Sequence, residues 1–132
     1  MRAPARWHSR GRRIVYLADH PASALIEAIV HFEVDRDQIP NHYQLLAVEV
    51  ADDIAFESVD VQNLPKDWLE NLNATRELGD KWLDSKRTAL LCVPSAIVPH
   101  ASNWLLNPAH ADAAKATIAQ VIPAPLDARL FR

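Results

Sequence analysis

The fold is decided by the stretch Arg13-Ile14-Val15-Tyr16-Leu17-Ala18-Asp19-His20-Pro21-Ala22-Ser23-Ala24-Leu25-Ile26-Glu27-Ala28-Ile29-Val30-His31-Phe32-Glu33-Val34. Its first six residues are rich in β-formers and read as a strand over 13–18. Asp19-His20-Pro21 breaks that strand, and proline, whose φ is preset for a first helical turn, opens a helix. Residues 22–34 form the clearest helix in the chain, ending before the charged Asp35-Arg36-Asp37. It is apolar nearly all round, so burial on most of its sides is expected. Its polar exceptions, Ser23, Glu27 and His31, recur every fourth residue and fall on one narrow stripe. That stripe is either the solvent edge of a packed helix or a way to carry the Glu27 carboxylate into a polar cleft. There it can stabilise positive charge or exchange a proton.

Working outward, Tyr43 to Val50 reads as a strand between Asn41-His42 and Asp52-Asp53. A loop runs through Leu64-Pro65. A second helix is expected at about 74–85, with Leu78, Trp82 and Leu83 on one side. Residues 88–93 form an apolar strand stopped by Pro94. The stretch from Pro94 to Pro108 is loop-like, with a short strand at 103–107. A weak helix near 110–116 and a strand near 117–122 follow, and the tail from Pro123 to Arg132 is expected to add a last short strand. There is no internal repeat, low-complexity tract or linker. The pattern predicts a single compact α+β domain over 1–132, with a small mixed sheet flanked by helices.

Composition narrows the function classes. With 49% hydrophobic and 23% charged residues in 132, the chain has the balance of a soluble globular protein able to bury a core without disulfides. The single cysteine, Cys92, lies in an apolar run and reads as a buried, inert thiol suited to a reducing cytoplasm. No apolar run is long enough for a membrane span, and the arginine-rich start is not followed by a signal-peptide core. The net charge of −3 is uneven. Residues 1–13 hold 5 of the 14 basic side chains, which leaves −8 on the remainder. Such an arm without a wide basic face and interleaved aromatics suits a small anionic ligand better than direct nucleic-acid binding. The six histidines show no zinc-ligand spacing, so no metal is expected. No phosphate-cradling glycine loop is present.

Several stretches, taken in order, carry a family resemblance. They are Arg6-Trp7-His8-Ser9-Arg10-Gly11, Ile14-Val15-Tyr16-Leu17-Ala18 and Ala24-Leu25-Ile26-Glu27-Ala28-Ile29-Val30-His31. They continue with Leu78-Gly79-Asp80-Lys81-Trp82-Leu83, Val93-Pro94-Ser95-Ala96-Ile97-Val98-Pro99, Asn103-Trp104-Leu105-Leu106-Asn107-Pro108 and Asp127-Ala128-Arg129-Leu130-Phe131. Together they resemble the RES-domain pattern from about residue 5 onward. Three positions depart from it: Ala5 stands where glycine is usual, His8 for asparagine and Trp104 for tyrosine. The segment that usually precedes the arginine–tryptophan motif has no counterpart, so an N-terminally short RES domain is expected.

The resemblance implies an ADP-ribosyltransferase-like fold and the toxin role of a toxin–antitoxin pair. It implies NAD⁺ as substrate, not as a bound cofactor, consumed by hydrolysis or phosphorolysis or used to ADP-ribosylate a protein. It also implies an Xre-type antitoxin as partner, with assembly as a homo-oligomer or with that antitoxin. The other readings are a catalytically inactive antitoxin-binding module and a plain nucleotide-binding domain. By matching motifs, the implied catalytic residues are Arg6, Tyr16, Glu27 and Ser95.

Chemistry suits these roles. Breaking the nicotinamide–ribose bond builds positive charge on the ribose, which a fixed Glu27 carboxylate stabilises. Arg6 offers a fork to the pyrophosphate. Tyr16 stacks on nicotinamide or hydrogen-bonds the ribose. Ser95, with no Ser–His–Asp arrangement around it, reads as a ligand contact and not a nucleophile. Asn103 and Asn107 either contact the adenosine side or only fix their loop.

Overall fold

A computed structural model describes residues 5–32 and 40–131. Strand β1 (Val15–Ala18) leads into helix α1 (Pro21–Phe32). Strands β2 (His42–Val50) and β3 (Phe56–Ser58) follow, then helix α2 (Leu72–Ser85). Strands β4 (Leu90–Pro94), β5 (Ser102–Leu106) and β6 (Ala116–Pro125) complete the set. The main sheet has the order β1-β5-β4-β3 and is mixed, since β3 pairs parallel to β4 while the other neighbours are antiparallel. Strands β2 and β6 form a separate antiparallel ribbon. The architecture is α+β, as the alternation of periods indicates.

Register sorts the two faces of the main sheet. Tyr16, Leu105 and Leu91 lie opposite one another across β1, β5 and β4, as do Ala18, Asn103 and Val93 one step along the same face. That face carries the larger core. Leu91, Val93 and Leu105 pack there with Trp7, Ile14, Leu64, Trp68, Trp82 and Leu83. The opposite face holds a smaller cluster of Ala89, Leu90 and Leu106, against which Val50, Ile54 and Ala116 pack. Among the described residues, the ribbon thus packs on this cluster through its β2 C-terminal and β6 N-terminal end.

Helix α2 forms because Thr75, Gly79, Trp82 and Leu83 recur at helical spacing and are all buried. Asn71 caps its start by accepting the Ala74 N–H, and Lys86 ends it in the left-handed region at φ 52°. The segment before β1 is strapped onto this helix. Thr75 Oγ1 donates to the Arg6 carbonyl, Arg76 Nε to the Ala5 carbonyl, and Asp80 accepts both the backbone N–H and the hydroxyl of Ser9. The strapping requires Gly79, because a Cβ there would sit 1.6 Å from the Trp7 carbonyl oxygen.

Several expectations are corrected. Helix α1 is not buried on most sides: Ile26 is 40% and Val30 50% exposed, because the helix leans on β1 by one flank only. The expected helix end at 33–34 lies outside the described residues. Pro94 does not stop β4 but pairs with Ser102 at its last position. This is tolerated because β3 ends opposite Cys92, so no neighbour on that side needs the missing N–H. Within 94–108 the short strand is present as β5, and 95–101 and 107–108 are loop. The helix near 110–116 is a 3₁₀ turn, Ala111–Lys115. Strand β6 runs on to Pro125 against β2, and the tail then makes a 3₁₀ turn, Ala128–Phe131, in place of a last strand. Strand β3 was not anticipated, being too short for its period to register. Cys92 is half-buried and not fully enclosed.

Gly79→Ala should destabilise the chain by on the order of 3 kcal/mol or more, because the added methyl meets backbone that cannot rotate away. A thermal or urea melt checks this; a shift no larger than that of an exposed substitution such as Lys81→Ala would contradict it.

Candidate active site

Glu27 rises from the middle of α1 and is half-buried, turned toward the main sheet. The sheet meets it with two donors. Ser95, just past the end of β4, donates its hydroxyl to Glu27 Oε1 at 2.7 Å, and Asn103 of β5 donates its side-chain amide to the same oxygen at 2.9 Å. No described residue bonds Oε2. The polar stripe on α1 is thus split: Glu27 points at the sheet, His31 is exposed, and apolar Ile26 and Val30 take the outer surface.

Ser95 is itself held. Its Oγ accepts the backbone N–H groups of Ile97 and Val98, each at 3.1 Å, and its own N–H bonds the Ala101 carbonyl. A hydroxyl has one proton and two acceptor positions. With both acceptor positions taken, the proton is directed to Glu27. The turn that aims α1 is tied to the same strand, since Trp104 Nε1 donates to Asp19 Oδ1 at 2.6 Å. Two consecutive β5 residues, Asn103 and Trp104, thereby set both the position of the helix start and that of the carboxylate.

Tyr16 lies on the same sheet face as Asn103, one diagonal step away across the β1–β5 pair, a Cβ separation of about 7 Å. Its hydroxyl is not free. It receives the Trp7 N–H at 3.3 Å and pairs with Nδ1 of His8 at 2.8 Å, while His8 is fully buried. Burial is the main cause that pushes the Tyr16 phenol up to about 12, partly opposed by the Trp7 N–H and the nearby Arg76 and Arg6 cations. In the sequence His8 stands out only as a departure from a motif; in the structure its ring lies 5.5 Å from that of Tyr16 between centroids.

Arg6 is half-buried, its Nη1 donating to the carbonyls of Trp68 at 3.2 Å and Leu69 at 3.1 Å, its guanidinium 5.7 Å from the Trp68 ring. The structure brings it into the Tyr16 cluster and forms no bond between it and Glu27 or Ser95. Asn107 is elsewhere. It is 2% exposed, donates to the Leu83 carbonyl and accepts the Ala109 N–H, so it joins the end of α2 to the β5 exit. Of its two sequence readings, loop fixing matches this placement. Arg12, from the same basic arm, pairs with Asp84 and lies near Asp80. Among the described residues, no group of three or more His, Cys, Asp or Glu side chains is placed to hold a metal ion, and no helix is long and apolar enough to cross a membrane.

The arrangement is one of a carboxylate on a helix, fixed by two donors of the main sheet, with Tyr16 on the same sheet face and Arg6 placed with Tyr16. The RES domain family matches residues 1–127, and the chain belongs to that family. It is 39% identical over 131 residues to a protein called Toxin Res from Pseudomonas putida, covering 99% of this chain and 88% of that one. A Toxin Res from Photorhabdus laumondii is 35% identical over 105 residues, covering 78% of this chain and 65% of its own. A protein named Prs ADP-ribosylating toxin, from a Sphingobium species, is 39% identical over 112 residues, covering 82% and 68%.

An ultraviolet pH titration should show the Tyr16 phenol ionising late, at about 12. The folded value lies above the ordinary 10.0, so the neutral form is favoured by folding. Its contribution to stability is complete below about pH 10 and is lost as pH rises toward 12. Tyr16→Phe should remove the late phenol and make the alkaline loss of stability shallower; an unchanged alkaline melt profile would count against the buried, bonded hydroxyl.

Proposed function

We propose that this protein is the toxin of a toxin–antitoxin pair and depletes NAD⁺ by cleaving its nicotinamide–ribose bond. NAD⁺ is then a substrate and not a resident cofactor, and the partner that restrains the toxin is an Xre-type antitoxin. The observation that carries this reading is Glu27, a half-buried carboxylate with one oxygen fixed by two donors and the other unbonded by any described residue. The names of the Pseudomonas and Photorhabdus relatives support the toxin role.

In the reaction, the C–N bond breaks and its electron pair passes to the pyridinium nitrogen, which leaves as neutral nicotinamide. Positive charge develops on the ribose. A carboxylate about 4 Å from that charge, at an effective dielectric of about 20, stabilises it by about 4 kcal/mol. Only the excess of this over the attraction to the pyridinium charge already present in NAD⁺ lowers the barrier. Water then adds to the ribose carbon and releases a proton, giving ADP-ribose; phosphate in its place gives ADP-ribose bearing a phosphate on that carbon. Tyr16, with its hydroxyl engaged by Trp7 and His8, presents its ring to the nicotinamide. Arg6 keeps Nε and Nη2 for the pyrophosphate, since its bonds to protein carbonyls use Nη1.

A second reading has a specific basis: the Sphingobium relative is named an ADP-ribosylating toxin. The same bond breaks, and a protein nucleophile takes the place of water. Incubating the chain in lysate with labelled NAD⁺ separates the two, because only transfer leaves label on protein.

The purified chain should consume NAD⁺ and release nicotinamide, and Glu27→Gln should lower the rate by at least about 100-fold with an unchanged melting temperature. Added phosphate distinguishes hydrolysis from phosphorolysis by the product formed. NAD⁺ left intact, with and without phosphate, would overturn the enzyme reading in favour of an antitoxin-binding module.

A further inference from the structure

We propose that Asn103 is a positioning residue that acts through Glu27, and not a contact to the adenosine side of the substrate. The inference rests on the role of Glu27 proposed above.

A glutamate on a helix reaches its target through several rotatable bonds, so a half-buried one samples many rotamers unless its oxygens are held. Here the holding groups come from the sheet, not from α1. Ser95 supplies one fixed proton, its acceptor positions filled by Ile97 and Val98. Asn103 supplies the other from a strand that pairs on both sides, with Ala18 of β1 and with Val93 of β4. Its backbone is thus among the best-anchored in the protein, and its amide must present Nδ2 to a carboxylate, which only accepts. Both bonds land on Oε1, which directs Oε2 to the ribose. A side chain whose donor nitrogen is committed to Glu27 is poorly placed to read an adenine edge. Ground-state binding of NAD⁺ therefore depends little on Asn103, while stabilisation of the developing charge depends on it strongly.

The choice of substitution separates the possible roles. Asp is nearly the shape of Asn, so a purely structural role predicts that Asn103→Asp is milder than Asn103→Ala. A role as donor to a carboxylate predicts the reverse, because aspartate would place a second carboxylate where the amide now lies 2.9 Å from Glu27. Contact with the substrate predicts a raised KM in both.

The experiment measures NAD⁺ consumption by the full chain and by Asn103→Ala and Asn103→Asp, with melting temperatures alongside. Expected are a kcat lowered about tenfold in Asn103→Ala and at least about a hundredfold in Asn103→Asp, with KM within about twofold of the unsubstituted chain, the scale of one charge-assisted hydrogen bond and of its reversal. A second measurement needs no turnover: the side-chain amide protons of Asn103, followed by nitrogen-correlated NMR, should shift in Glu27→Ala. A raised KM at unchanged kcat, or an Asp variant milder than the Ala variant, overturns the proposal. Amide signals unmoved by Glu27→Ala in a chain that consumes NAD⁺ overturn it alone. A chain that leaves NAD⁺ intact overturns the proposed function, and with it the catalytic sense of this contact.

Discussion

The rest of the structure depends on the approach of the Trp7 carbonyl to Gly79, closer than any side chain would permit. Through that gap α2 takes hold of residues 5–9. Thr75, Arg76 and Asp80 bind three backbone groups and one hydroxyl of the segment. Backbone that must leave water finds its partners on the helix, which is why the segment can lie in the core at all. Trp7 and Trp82 then fill the space between helix and sheet, with Trp68 beside them at 6.2 Å between ring centroids. Burying each of these indoles contributes about 2–3 kcal/mol. The same strap delivers His8 and the Trp7 N–H to Tyr16 and lays Arg6 along Trp68.

The two halves of the candidate site are built by different means. Its aromatic half belongs to the core: Tyr16 is set by packing and by bonds to a buried histidine and a backbone N–H. Its acidic half is set by three elements that converge, with Glu27 from α1, Ser95 from the turn after β4 and Asn103 from β5. They meet because β5 lies between β1 and β4, which places the start of α1 and the end of β4 on either side of the same end of that strand. Electrostatic work of the proposed kind needs a charge that does not relax when the substrate changes. A carboxylate pinned to a sheet through another element's donors meets that need better than one free on its helix.

The ribbon of β2 and β6 makes a contrast. Its β-bulge between Ala47 and Val48 twists the pair, and among the described residues its Val50–Ala116 end is the one that joins the core. Leu46, Ile118 and Val121 are left about half exposed or more. Its pairing is regular and its packing is slight, which is why it was legible as two strands and gave no sign of where it would sit.

What could be read directly was whatever repeats locally. The strand-to-helix passage at Pro21, the second helix with Trp82 and Leu83 on its packed side, and the apolar β4 follow from period and turn chemistry within a few residues. The tail after Pro125 and the 3₁₀ turn at 111–115 were misread because short apolar runs carry no decisive period. The stripe on α1 shows the limit most plainly. Periodicity placed Glu27 on a polar line and left open which way the line faced. Facing was settled by partners 68 and 76 residues away, Ser95 and Asn103, whose arrival depends on strand order and register. The sequence alone therefore determined most of the longer elements, the family and the residue types that carry chemistry. Tertiary structure decided that Glu27 is held, that Asn107 serves the fold and that Arg6 stands with Tyr16, because hydrogen-bond partners across a sheet are chosen by register and packing, which no local pattern encodes.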